Sequence, residues 1–215
     1  MKRIFHSGHF ILVSWLVALC VSCTDLGVEP QPVNLIPLKA GNTWTFARTW
    51  YDSLGNVIQS ATENLWVRAD TNLFGHGWSV IWRDAAMQLF RNTLEGVVVR
   101  LLDYDDPKTH VLYKYPARVG DSYGYPVPTF GGTPYMSDTT WTAIVVCTDT
   151  LITVPAGSFK CVVYSVSTDY YWFYILEFIS IDYGWVKQET FSRNRVNKNV
   201  FRTNSLELTS LRIIP

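Results

Sequence analysis

The sequence carries no excess of either charge: 18 Lys and Arg stand against 18 Asp and Glu. A balanced chain offers no field to gather nucleic acid or an anionic surface, so nucleic acid is excluded as the expected partner. Histidine is scarce. Of four, His6 and His9 lie in the first ten residues, leaving His76 and His110. Neither sits in HExxH or any paired-His spacing, so no zinc site of the usual kinds is expected. Gly75-His76-Gly77 reads instead as a hairpin tip. There is no GxSxG, hence no nucleophile elbow, and no P-loop. Gly131-Gly132 lies among Pro126, Pro128 and Pro134 and reads as an irregular loop. The run Asp103-Tyr104-Asp105-Asp106 lacks the Gly and distal Glu of a calcium loop and reads as solvated. No cofactor, metal or catalytic residue is therefore expected. The alternative is an envelope hydrolase using scattered acids such as Glu177 and Asp182, since paired carboxylates suffice for glycoside hydrolysis.

A long apolar run is missing as well. Phe10–Val21 is apolar except for Ser14, and a dozen residues cannot span a hydrocarbon core, which needs about 20 in a helix. Preceded by Lys2 and Arg3, and followed by small residues, it reads as an export signal over residues 1–22. Its loss leaves 16 bases against 18 acids. Val21-Ser22-Cys23 resembles the lipobox of bacterial lipoproteins, with Cys20 standing where Leu is usual. Bulky Leu19 makes Cys20 a poor acceptor, so Cys23 is the expected lipidation site and membrane anchor; the alternative is an ordinary secretory cut after Ser22. Residues 23–34, with Pro30 and Pro32, read as a polar tether. By analogy with enterobacterial sorting, the absence of Asp directly after Cys23 implies the outer membrane, facing the periplasm or the surface.

Beyond the tether no convincing amphipathic helix is found; Asp84–Phe90 is the best candidate and is short. Runs rich in Val, Ile, Thr and aromatics alternate with turn residues instead, as strands do. They cover Thr43–Tyr51, Val57–Ala69, Trp78–Arg83, Met87–Arg91, Gly96–Leu102, Thr139–Cys147, Leu151–Val154, Ser158–Ser167, Tyr170–Ile179, Gly184–Phe191 and Leu206–Ile213. Most connections are of hairpin length. The expectation is one all-β domain over 35–215: a curved, mostly antiparallel meander, either half-barrel or sandwich.

One pattern occurs twice. Pro37-Leu38-Lys39-Ala40-Gly41-Asn42-Thr43-Trp44 matches Pro116-Ala117-Arg118-Val119-Gly120-Asp121-Ser122-Tyr123 as Pro-x-base-small-Gly-(Asn/Asp)-(Thr/Ser)-aromatic. Physically this is a turn that opens a strand: Gly takes φ > 0, Asn or Asp bonds the backbone, and the aromatic enters the core. It suggests repeat halves 37–115 and 116–215. These openings, the hairpin Thr153-Val154-Pro155-Ala156-Gly157-Ser158-Phe159-Lys160-Cys161 and the strand Tyr183-Gly184-Trp185-Val186-Lys187-Gln188-Glu189 resemble a broad group of uncharacterised bacterial envelope lipoproteins with PAG(T/S)F and G-x-V-K-x-E motifs. The resemblance covers most of 37–215. It implies an all-β envelope lipoprotein and brings no activity with it.

Two features remain. Cys147 and Cys161 lie on neighbouring runs of a chain expected in an oxidising compartment. A bridge between them would stabilise by about 3 kcal/mol. Simple hairpin counting does not place them opposite, although a break at Thr148-Asp149-Thr150 could; the alternative is two buried thiols. The second feature is Tyr170-Tyr171-Trp172-Phe173-Tyr174. Alternation puts Tyr170, Trp172 and Tyr174 on one face and Tyr171 and Phe173 on the other. Both faces are apolar and both need cover: a second sheet, the Pro-rich loop Tyr125–Met136, a partner, or an apolar ligand. The functional expectation is a non-enzymatic envelope lipoprotein that carries an apolar ligand or serves as an accessory subunit beside an envelope protein partner.

Overall fold

The computed structural model describes residues 32–73, 75–83, 86–100, 109–125, 141–167, 173–194 and 198–215. The chain divides at Gln31/Pro32, and the unit Pro32–Pro215 holds everything that follows. The export segment, Cys23, most of the tether, the Asp103–Asp106 run and Tyr170–Trp172 lie outside the described residues.

Among the described residues twelve strands form: β1 (Thr43–Tyr51), β2 (Val57–Leu73), β3 (His76–Arg83), β4 (Ala86–Thr93), β5 (Gly96–Arg100), β6 (His110–Lys114), β7 (Ser122–Tyr125), β8 (Trp141–Val154), β9 (Gly157–Ser167), β10 (Phe173–Ser180), β11 (Gly184–Arg193) and β12 (Val200–Arg212). They make one antiparallel sheet in the order β6-β5-β4-β3-β2-β1-β12-β11-β10-β9-β8-β7. The expected curved, all-β, antiparallel meander is what forms, and it curls into a nearly closed barrel. Strands β1–β6 are one six-stranded meander and β7–β12 a second. They join where β1 pairs with β12, and β6 and β7 meet across a seam.

The strand expected over Met87–Arg91 forms as β4 rather than the short helix that Asp84–Phe90 could have offered, with Gln88 and Phe90 facing the barrel interior and Leu89 packed outside. Two local expectations are corrected. The two runs before and after Thr148-Asp149-Thr150 are one strand, β8, with irregularities between Val145 and Cys147 and between Cys147 and Thr150. His110–Lys114 is a strand where none was expected; its five residues are too few to show a period.

The strand directions define two ends. At the base, Gly41 and Gly120 open β1 and β7 with φ of 92° and 89°. The Gly41 N–H donates to Val67 O and the Gly120 N–H to Val145 O, both at 2.8 Å. Val67 and Val145 in turn donate to Asn42 O and Asp121 O, both at 2.9 Å. The two turns are thus one structure made twice. The base is filled from below by fully buried Leu35 and Ile36, where the Asn92 amide donates to Ile36 O at 2.8 Å. The far end of the β8–β9 hairpin also packs there: the Ala156 N–H donates to Leu208 O at 3.0 Å, and Val154 and Phe159 join the core. In the middle of this packing Trp44 and Phe90 each meet the Trp185 ring edge-on, at 5.3 and 5.8 Å.

The opposite end is a rim. Connections 52–56, 84–85, 101–109, 126–140, 168–172 and 194–199 leave from it, and all but 84–85 are longer than most of those at the base. Burial fades along the strands toward it. On β1, Trp44 and Phe46 are buried, whereas Arg48, Trp50 and Tyr51 are half-buried. The first six residues of β2 are exposed.

Candidate binding rim and barrel interior

The inward face of β1 continues past Trp44 and Phe46 to Arg48 and Trp50. Across the ladder Phe46 meets Glu63, so β2 directs Glu63 inward together with Leu65 and Val67. Glu63 is 4% exposed. Burying a carboxylate is costly unless it is paired, and here two cations hold it. Arg48 Nη2 lies 2.5 Å from Glu63 Oε2, and Arg83 Nε bonds the other oxygen. A charged Arg–Glu–Arg group therefore spans β1, β2 and β3 above the apolar base.

The second half lines the interior differently. Gln188, Glu177, Tyr164 and Val145 stand abreast on β11, β10, β9 and β8. The Gln188 amide donates to Glu177 Oε1 at 2.8 Å. The Tyr113 hydroxyl bonds the same carboxylate and accepts from the Trp185 indole at 3.0 Å. Burial pushes the Tyr113 phenol well above its usual range, and the Glu177 charge adds to this. Glu177 is thus a satisfied interior carboxylate. Asp182, its suggested acid–base companion, lies in the exposed β10–β11 turn with its N–H on Asn34 O, whereas Glu177 is buried in the interior. Nearer the rim the interior wall is apolar: Trp141, Ala143 and Val166 are buried, and Phe173 packs on Trp141 at 5.0 Å.

Of the aromatic run, Phe173 and Tyr174 are described. Alternation holds: Phe173 faces inward, and Tyr174 points outward and stacks on Phe191 at 4.9 Å with rings 10° apart. Both are half-buried. Cover for the inward face comes from the same sheet curling back on itself, not from a second sheet.

The expected disulfide is not formed: Cys147 and Cys161 are free thiols. Cys161 pairs with Thr150, as simple hairpin counting gives, and Cys147 with Val163; the irregularity between Cys147 and Thr150 shifts the register by one residue and does not bring the two cysteines opposite each other. Burial pushes the Cys161 thiol up to about 12. His76 is exposed at the start of β3, and His110 opens β6. Among the described residues no three His, Cys, Asp or Glu side chains gather as a metal site would require. Sequence reasoning missed Glu63, Tyr123 and Tyr164. A signal for Glu63 existed, since a carboxylate two residues before Leu65 and four before Val67 shares their inward parity and so demands a partner.

Outside the rim, the β1–β2 hairpin ends in exposed apolar side chains: Leu54, Val57 and Ile58 at 86%, 61% and 66%. The tip is firm. Asp52 Oδ1 accepts from the N–H groups of Leu54 and Asn56, at 2.9 and 2.8 Å, and Oδ2 accepts from the Asn56 amide at 2.9 Å. These bonds, the Asn56 side chain foremost, hold the Asp52 carboxyl below its usual range.

No protein-family model matches the chain, and no curated protein matches it in sequence. Among solved structures it is similar to an exported-protein candidate with a YmcC-like fold from Bacteroides fragilis NCTC 9343, at 13% identity and a TM-score of 0.46. A second likeness is to a lipoprotein candidate from Parabacteroides distasonis ATCC 8503, at 14% identity and a TM-score of 0.40. Each alignment covers 85% of this chain and 100% of the other.

Proposed function

We propose that the protein is a non-enzymatic lipoprotein of the outer membrane, anchored through Cys23, whose barrel binds an envelope partner or an apolar ligand at its rim. The supporting observation is the inequality of the two ends. The base is plugged by Leu35 and Ile36, the first buried residues after the tether, and is packed with large side chains. The rim carries most of the longer connections and the exposed tip Leu54–Ile58. Binding residues concentrate on loops held by a rigid scaffold. A photo-crosslinking residue placed at Ile58 in the native envelope tests this against one placed at exposed Val119, beside the base turn. A protein adduct at Ile58 alone identifies a partner, and a lipid adduct identifies a carried ligand. Equal capture at both positions, or none at either, sinks the proposal. Mass spectrometry of the N-terminal peptide tests the anchor, which predicts a diacylglyceryl group on Cys23.

A further inference from the structure

We propose that the barrel opens along the seam between β6 and β7, and that the hydroxyls of Tyr123 and Tyr164 are its latch. Eleven of the twelve junctions around the sheet are backbone ladders. The twelfth has none among the described residues. An edge strand left inside a closed structure must still satisfy its N–H and C=O groups. On β6 phenols do this work. The Tyr123 hydroxyl donates to Leu112 O at 3.0 Å and accepts from the Lys114 N–H at 3.2 Å. The Tyr164 hydroxyl donates to Lys114 O at 2.8 Å. Three consecutive edge groups are thus bonded to side chains that reach across from β7 and β9. Lys114 Nζ also lies 3.2 Å from Asp121 Oδ2, but both side chains are partly exposed and such a pair adds little.

The mechanical setting differs from that of the ladders. A ladder joins two backbones by many bonds, whereas this edge is held across the seam by the hydroxyls of two side chains. The two edges are hinged at the base by residues 115–121, which are themselves held: Tyr115 N–H donates to Glu95 O at 2.9 Å and Gly120 N–H to Val145 O at 2.8 Å. The seam is therefore fixed at the base by backbone hydrogen bonds and closed above it by side chains. Burial pushes both phenols well above their usual range, so they remain protonated donors through physiological pH.

Hydrogen exchange by mass spectrometry on the full-length protein tests the latch. Tyr123→Phe keeps the ring and removes the hydroxyl. Exchange over 110–114 and 122–125 should rise about tenfold or more, as losing two net hydrogen bonds implies. The β1–β12 and β11–β12 ladders should not change. Tyr164→Phe should act on the same segments more weakly. Tyr51→Phe, which removes a hydroxyl 3.1 Å from Ser205 Oγ far from the seam, should leave them unaltered. Should Tyr123→Phe fail to fold, the unaltered protein still decides: in rising urea, β6 and β7 must lose protection before β1 and β12. A uniform rise across all strands in Tyr123→Phe, or simultaneous loss of protection in the unaltered protein, overturns the proposal.

Discussion

The two six-stranded halves start from the same turn and use it for different ends. In the first half the aromatic after the turn is Trp44, on a strand laddered on both sides; its indole donates to Tyr183 O at 2.6 Å deep in the base. In the second half the matching aromatic is Tyr123, on a strand laddered on one side only, and its hydroxyl serves the seam. The interior differs in the same sense. The first half turns a charged Arg48–Glu63–Arg83 group inward; the second turns in Tyr164, Trp141 and Phe173 around a single bonded carboxylate. A repeated backbone element sets where an aromatic goes, and the neighbouring strand sets what that aromatic does.

The contrast can be broken at several points. Trp44→Ala should have the largest effect, about 3–5 kcal/mol of unfolding free energy, as for other buried aromatic truncations. A urea midpoint shifted by much less would mean that the base is not the main store of stability. Glu63→Gln removes the carboxylate and leaves two cations facing each other. Because Arg48 and Arg83 are partly solvated, the expected loss is about 2–3 kcal/mol, below that of a wholly buried pair. No change in thermal stability would assign the charged group no structural role.

Phe173→Ala removes a half-buried ring from Trp141 and should cost about 2 kcal/mol. A loss equal to that of Trp44→Ala would show the second half packed as tightly near the rim as at the base. The paired glycines give a cleaner comparison. Both occupy positive φ, so each alanine pays about 1 kcal/mol or more for its backbone. At Gly120 a Cβ meets nothing, whereas at Gly41 it would lie 2.6 Å from Ile214 Cδ1. Gly41→Ala should therefore be the worse by denaturant titration, and equal losses would show that Ile214 yields freely.

The smallest effect concerns the thiols. Cys161, buried and titrating near 12 against an ordinary 9.0, favours the protonated folded state. Its contribution is whole below pH 9 and is lost as pH climbs towards 12. At pH 8 a maleimide should label half-buried Cys147 well before Cys161, as peptide mass spectrometry would show. Equal labelling would place the β8–β9 hairpin among the easily opened parts.

Much of this architecture was legible because β periodicity is short. Thr43–Tyr51 is bounded by its turns at both ends, and the Gly41 and Gly120 motifs mark the start of each half. Cys147 and Cys161 show how far legibility goes. Counting back from the hairpin puts Cys161 opposite Thr150, as observed, but the one-residue shift at Cys147 comes from an irregularity in β8 that no composition reveals. The seam was invisible for a related reason: β6 and β7 are too short to carry a pattern, and a phenol that bonds a distant backbone looks, in sequence, like any core aromatic. Glu63 falls between these cases, since its parity was readable but its two arginines lie 15 and 20 residues away on other strands.

The pairing of β1 with β12 also fixes an order of events. Among the twelve described strands β1 is synthesised first and β12 last. Until Val200–Arg212 arrives, one edge of β1 has no partner, although β2 can join the other within a few residues. Closing this junction joins the two most distant parts of the domain, the kind of contact whose chain-closure cost slows folding. Each meander can assemble from nearby contacts alone, so the slow step is their union, and during it β1 presents an open edge to any neighbouring chain.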